Sequence, residues 1–173
     1  MFLPVADSDI PVIVGLMNRA YRGAGHSSGW TAEEAYLAGD RTTEELLRAD
    51  IAAKPSASLL KWEDEQEEAT IGCVWLEPVG EDTWYLGSLA VEPGQQNGGL
   101  GRTMLAAAES WLKDHGAKRI RMTVINVREE LIAWYLRRGY AKTGKTEPFP
   151  YGDERFGKPL RDDLCFVVLE KSI

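Results

Sequence analysis

Leu86-Gly87-Ser88-Leu89-Ala90-Val91-Glu92-Pro93-Gly94-Gln95-Gln96-Asn97-Gly98-Gly99-Leu100-Gly101-Arg102 decides how the rest of the chain is read. A short apolar strand runs into a proline stop, a glycine-dense turn follows, and the first turn of a helix closes the stretch. Leu100, Met104, Leu105, Ala108, Trp111 and Leu112 recur at helical spacing, which predicts a one-faced helix from about Leu100 to Lys113. A glycine-rich turn lets backbone N–H groups converge without side chains in the way, and the helix dipole adds positive potential there. The stretch therefore reads as a cradle for phosphate or diphosphate placed after a strand. Two nucleotide loops do not fit it. Gly101 is followed by Arg102-Thr103 where an NTPase loop needs Lys and Ser/Thr, and Met104 stands where a dinucleotide fingerprint needs its third glycine.

Gln96-Asn97-Gly98-Gly99-Leu100-Gly101 does fit the pattern Gln/Arg-x-x-Gly-x-Gly/Ala. Placed after Leu89-Ala90-Val91, it resembles the acetyl-coenzyme A loop of the GNAT superfamily of N-acetyltransferases. For the loop alone, an ordinary strand–helix turn with glycines for geometry is the competing reading. A second segment strengthens the resemblance. Arg119 to Ile125 alternates polar and apolar as a half-buried strand does, Asn126 follows, and a helix is expected from about Arg128 to Arg138, closed by Gly139. Asn126…Ala133-Trp134-Tyr135-Leu136-Arg137-Arg138-Gly139-Tyr140 is similar to the family's second signature, Asn…Ala-x-x-Tyr-x-x-x-Gly-Phe/Tyr. Ala133 sits one residue nearer the tyrosine than the commonest spacing, a departure in packing rather than in chemistry.

A length of 173 residues is that of one domain with a real core, expected here over 1–173 without repeats or linkers. No run approaches the roughly 20 apolar residues of a membrane span. No basic-then-apolar leader opens the chain, and Cys73 and Cys165 lie far apart in apolar runs as expected of buried free thiols. A cytoplasmic protein is the expectation. The net charge of −7 argues against nucleic acid and suits either a cationic acceptor or plain solubility. His26 and His115 lie on different elements without a carboxylate cluster, so no metal site is expected.

Phe2 to Val5 reads as a strand, and Asp7-Ser8-Asp9 as the cap of a helix burying Ile10, Ile13, Leu16, Met17, Ala20 and Tyr21. Arg22 to Thr31 is a loop by composition, and Thr42-Thr43-Glu44-Glu45 has capping-box spacing for a helix reaching about Ala53. Strands follow over Ala57–Trp62, Ile71–Leu76 and Thr83–Val91, and later over Leu164–Leu169. Runs of strands with helices set between them predict an α+β layer. The resemblance implies more: a mixed, mostly antiparallel sheet of six to seven strands, splayed between the fourth and fifth (here Thr83–Val91 and Arg119–Ile125), with about four flanking helices.

It also implies a site. Pantetheine would enter the split and bond to the backbone of Leu89, Ala90 and Val91, and the diphosphate would rest on Gln96, Asn97, Gly98, Gly99, Leu100, Gly101 and Arg102. Splayed strands leave unpaired donors and acceptors that a ligand with amides can satisfy. An N–H near Leu89 would stabilise the developing oxyanion. Tyr135 matches the acid that protonates the departing thiolate, a packed core aromatic being the alternative. Asn126 would touch the pantetheine arm or cap the next helix.

Glu77 is the first choice of base, ahead of Glu92, Asp153 and Glu154; each also reads as a surface carboxylate, and some relatives use water chains instead. Two segments would flank the acceptor: Gly23–Thr42, with His26, Trp30 and Arg41, and Thr146–Pro159, with Tyr151, which interrupts the last hairpin. The second reads as an ordered lid, a sheet-edge loop or a dimer contact. The expected function is acetyl transfer from acetyl-CoA to a primary amine, with a small-molecule acceptor favoured. A protein or peptide amine and a silent acyl-CoA-binding module are the alternatives, and a homodimer is compatible with the resemblance.

Overall fold

The computed structural model describes residues 1–23 and 37–173. β1 (Phe2–Pro4) leads through a 3-10 turn at Asp7–Asp9 into α1 (Ile10–Arg22), and β2 (Leu37–Ala38) precedes α2 (Glu44–Ala53). β3 (Ser58–Asp64), β4 (Ala69–Pro78) and β5 (Thr83–Val91) come next, then a 3-10 turn over Pro93–Gly98 and α3 (Leu100–Asp114). β6 (Arg119–Ile125), α4 (Glu129–Leu136), β7 (Ala141–Pro148), β8 (Lys158–Pro159) and β9 (Cys165–Ser172) follow. Seven strands form one sheet in the order β1-β3-β4-β5-β6-β9-β7, and β2 pairs separately with β8.

Strand alternation divides the core between the two faces of the sheet. Leu59, Cys73 and Ala90 face α1 and α2, meeting Ile13, Leu16, Met17, Ala20 and Leu47. Leu60, Val74, Leu76, Leu86, Leu89 and Val91 face α3 and α4, meeting Met104, Leu105, Leu112, Leu131 and Tyr135. Leu86 and Leu89 share a face although they are three apart, so the alternation slips once between them. The slip is a bulge: Cys73 opposes Ala90 while Trp75 opposes Gly87, and Ser88 has φ +48, a left-handed conformation in a residue with a Cβ.

A bulge bends its strand, and the consequence is visible on the other edge of β5. β5 and β6 are the sheet's parallel pair, matched only at Thr83–Arg119, Trp84–Ile120 and Tyr85–Arg121. Beyond them Leu86–Val91 and Met122–Ile125 have no partner across the gap, while β6 stays paired to β9 from Arg119 to Ile125. The expected split between the Thr83–Val91 and Arg119–Ile125 strands is therefore present.

Several local boundaries differ from the sequence reading. The cap of α2 is Thr43, whose Oγ1 accepts from the Leu46 N–H at 3.2 Å, one residue later than a Thr42–Glu45 box would place it. Asp9 does not cap α1; its carboxylate accepts from the Ala6 N–H at 2.8 Å and from Lys61 at 3.0 Å, and these bonds hold it below the usual carboxylate range. α4 ends at Leu136, because Arg138 N–H and Gly139 N–H tighten onto Tyr135 and Leu136 carbonyls in 3-10 fashion.

Thr146–Pro148 belong to β7, so the segment interrupting the last hairpin starts at Phe149. The β2–β8 pair, absent from the sequence reading, joins the two segments expected around the acceptor: Leu37 opposes Pro159 and Ala38 opposes Lys158. Their approach requires Gly157, with φ +98; a Cβ there would lie 2.9 Å from the Ala38 carbonyl oxygen. Leu37, Ile125, Phe149 and Leu164 form a small cluster beneath the pair.

Candidate active site

The split between β5 and β6 opens into a cavity of about 360 Å³. Its walls are Leu86–Leu89 and Met122–Ile125, closed by Leu131 and Tyr135 from α4, Phe149 and Pro150 from the late segment, Tyr21 from α1 and Arg41 from the early segment. Tyr135 is 6% exposed, its ring edge-on to Trp134 at 5.0 Å and to Tyr140 at 5.6 Å. Among the described residues its hydroxyl makes no hydrogen bond. Burial drives its pKa well above the ordinary tyrosine value, with Tyr21 and Tyr85 adding to the rise and Arg128 and Arg138 opposing it. At neutral pH the group is a protonated donor facing the cavity. The Tyr21 hydroxyl donates to the Leu89 carbonyl at 3.2 Å, from the opposite face of the sheet.

A second cavity, of about 480 Å³, adjoins the first at Leu131. Gln96, Asn97, Gly99, Gly101 and Arg102 make one wall; Glu130, Trp134, Arg137 and Arg138 make the other. The Gln96 side chain donates to the Val91 carbonyl at 3.0 Å, which holds the loop against the end of β5. Gly99, with φ +80, sits before the first turn of α3, and the intrahelical ladder starts with the Thr103 N–H on the Gly99 carbonyl at 3.1 Å. The N–H groups of Leu100, Gly101 and Arg102 thus precede the ladder and suit an anion.

Arg138 stacks on Trp134 at 3.6 Å and donates to the Trp134 carbonyl at 2.7 Å, while its Nε is buried without a partner. Its pKa is pulled below the arginine norm by desolvation first, then by Arg137 and Arg102. Three guanidiniums that repel one another around backbone donors are the donor set a diphosphate satisfies.

On the far side of β5, against α1 and α2, lies a third cavity of about 260 Å³ that shares Arg41, Tyr85 and Ser88 with the split. Glu77 borders it, with its carboxylate taken by Lys54 at 2.7 Å and by the Trp75 indole N–H at 3.1 Å. Asp50 and Arg155 form an ion pair in the same wall.

The family model described as acetyltransferase (GNAT) matches residues 18–140. The chain belongs to the GNAT acetyltransferase family. The GNAT fold recurs in solved structures at low sequence identity. A ribosomal-protein-alanine N-acetyltransferase from Brucella melitensis superposes with a TM-score of 0.71 at 16% identity, covering 100% of this chain and 99% of that one. A PaiA N-acetyltransferase from Thermoplasma acidophilum, in complex with coenzyme A, gives 0.68 at 16% identity over 100% and 98%. A GNAT acetyltransferase from Elizabethkingia anophelis with acetyl-CoA bound gives 0.64 at 18% identity over 76% and 84%. No curated protein matches the chain by sequence. Acetyl-CoA is the co-substrate of such a GNAT domain.

Within this GNAT domain the residues singled out from sequence are distributed unevenly. Leu89, the wall of Gln96, Asn97, Gly99, Gly101 and Arg102, and Tyr135 all border the two joined cavities. Arg41 borders both the split and the third cavity. Asn126 is occupied elsewhere: its amide donates to the Asp163 carbonyl and accepts from the Cys165 N–H, both at 3.0 Å, strapping β6 to the start of β9. It does not cap α4, whose first turn carries no side-chain cap.

Tyr151 borders none of the three cavities; its hydroxyl accepts from the Leu164 N–H at 2.7 Å and pins the late segment, leaving Phe149 and Pro150 to face the split. Trp30 and His26 lie outside the described residues. Of the other carboxylates, Glu92 is paired with Arg19 at 2.8 Å and Asp153 accepts from the Arg155 N–H at 3.0 Å; neither borders these cavities. Three residues were not singled out from sequence: Arg137 and Arg138, and the buried Arg128, which borders the split. Like-signed pairs in an acidic chain were the available signal for the first two. Among the described residues no cluster of His, Cys, Asp or Glu suits a metal, and no helix is long and apolar enough to cross a membrane.

Proposed function

We propose that this chain transfers the acetyl group of acetyl-CoA directly to the primary amine of a small molecule. The observation carrying this reading is adjacency: the anion-binding cavity shares Leu131 with the split strand pair that has Tyr135 on its wall, and the split shares Arg41, Tyr85 and Ser88 with the third cavity. The co-substrate supplies an acyl thioester; a C–N bond forms as the C–S bond breaks, and the ammonium loses two protons, one released through the base to solvent and one restoring the acid that protonates the departing sulfur.

Each side chain has a part in that exchange. The N–H groups of Leu100 to Arg102, with Arg102, Arg137 and Arg138, hold the diphosphate. Leu86 to Val91, unpaired on the side facing β6, offer the pantetheine amides their backbone, with Leu89, Ala90 and Val91 nearest the loop. The bulge at Ser88 leaves Ser88 and Leu89 outside the β4 register, and the Leu89 N–H meets the oxygen that turns negative during attack. Tyr135, kept protonated by burial, donates its proton to the sulfur. Glu77 takes the proton of the incoming ammonium, directly or through water.

Free-thiol release from acetyl-CoA with a panel of amines, alongside the melting temperature with acetyl-CoA, tests the reading. A rise in melting temperature with acceptor-dependent thiol release supports it. A rise with no turnover of any amine or peptide favours a silent binder, and turnover confined to peptides moves the acceptor to proteins.

A further inference from the structure

The third cavity is bordered by Asp50, Lys54, Glu77, Arg155 and Arg41. Four of these charges cancel in pairs, Arg155 with Asp50 and Lys54 with Glu77. Arg41 is left over. Among the described residues its guanidinium meets no carboxylate and makes no hydrogen bond. Its Nε is sealed from solvent without a partner, and the group lies over the Tyr21 ring at 4.9 Å. Its backbone is fixed, because Asn18 on α1 accepts from the Arg41 N–H at 2.7 Å and the Thr42 N–H at 3.1 Å and donates to the Thr42 carbonyl at 3.0 Å. A cation on a fixed backbone, with its Nε–H buried and unused beside a cavity, is costly until an acceptor arrives.

The geometry points to an acceptor that carries its own oxyanion, a carboxylate or a phosphonate, a few bonds from the amine, with Arg41 as the group that reads it. This rests on the acetyl-transfer reading above and adds the acceptor's class to it. Arg41, Tyr85 and Ser88 border both the third cavity and the split. An oxyanion on Arg41 therefore leaves the amine beside the bulge where the thioester is attacked, which favours a short amino acid over a long polyamine. The chain's overall charge of −7 points the other way and is outweighed locally, since the paired charges leave this cavity with the cation of Arg41.

The test compares matched acceptors: amino acids against their amides and decarboxylated amines, and an aminoalkylphosphonate against its carboxylate counterpart. Readouts are kcat/KM from thiol release and the melting-temperature rise with acetyl-CoA. The expected result is a preference of at least tenfold for the oxyanion-bearing member of each pair, and the carboxylate–phosphonate arm shows which oxyanion is taken. Arg41→Gln should lower kcat/KM for those acceptors roughly 10- to 100-fold, mainly through KM, and erase the preference. Arg41→Lys should restore part of it, and the acetyl-CoA shift should survive in both variants. Equal or better use of the amides, amines or polyamines, or an unchanged preference in Arg41→Gln, overturns the inference. So does failure to acetylate any oxyanion-bearing amine by protein that still binds acetyl-CoA. Loss of the acetyl-CoA shift in the unmodified protein would instead remove the acetyl-transfer reading itself.

Discussion

Tyr135→Phe isolates one atom of the mechanism. The hydroxyl has no hydrogen-bond partner among the described residues, so its loss leaves no buried group unsatisfied, and the ring contacts with Trp134 and Tyr140 remain. The melting temperature should stay within the spread of repeat measurements. Affinity for acetyl-CoA, measured calorimetrically, should change by less than about twofold, because a hydroxyl that acts only as the thiolate departs contributes little to ground-state binding. Turnover should fall by at least about 100-fold, the lower end for a positioned general acid and equivalent to about 2.7 kcal/mol of barrier.

The pH profile adds a sign. Burial raises the pKa of Tyr135 above the ordinary tyrosine value, so the acid form persists as pH rises, and the unmodified enzyme should show no alkaline loss of kcat at the ordinary tyrosine pKa of about 10. Unchanged turnover in Tyr135→Phe would refute the acid assignment and leave Tyr135 as core packing.

Arg138→Gln should weaken coenzyme A binding roughly 10- to 100-fold, with a shallower salt dependence, and should change the melting temperature little, because relief of the repulsion from Arg137 and Arg102 offsets the lost stack and hydrogen bond on Trp134; calorimetry at two salt concentrations checks this. Gly157→Ala forces a Cβ into a left-handed backbone against the Ala38 carbonyl, so it should cost roughly 1–3 kcal/mol of stability and raise KM for the amine while coenzyme A affinity holds. Thermal melts and steady-state kinetics read both effects. Cys73 is fully buried and its thiol is pushed up to about 12, mainly by desolvation, so a thiol reagent at pH 8 should modify Cys73 only on unfolding. Mass spectrometry of native and denatured samples decides it.

What could be read from the residues and what could not divides along a physical line. The glycine loop, the strand before it and Tyr135 on the following helix are local: the chemistry is carried by spacing within one or two elements, and the structure puts them on adjoining walls. The bulge at Ser88 has one faint signal, Gly87 inside the strand, and the residue that takes φ +48 is the serine beside it, which rarely adopts that conformation. Arg137 and Arg138 read as ordinary helix-end cations until α4 is set opposite the loop. The two late surprises have the same origin. Tyr151 turned out to serve the Leu164 backbone and Asn126 the 163–165 segment, contacts across 13 and 37–39 positions that periodicity does not report.

The most direct test is the crystal structure of this chain with coenzyme A. The diphosphate should lie within hydrogen-bond distance of the N–H groups of Leu100, Gly101 and Arg102, with pantetheine between Leu86–Val91 and Met122–Ile125 and its sulfur beside the Tyr135 hydroxyl. A diphosphate bound elsewhere, or β5 and β6 paired along those residues with the ligand outside, would contradict it.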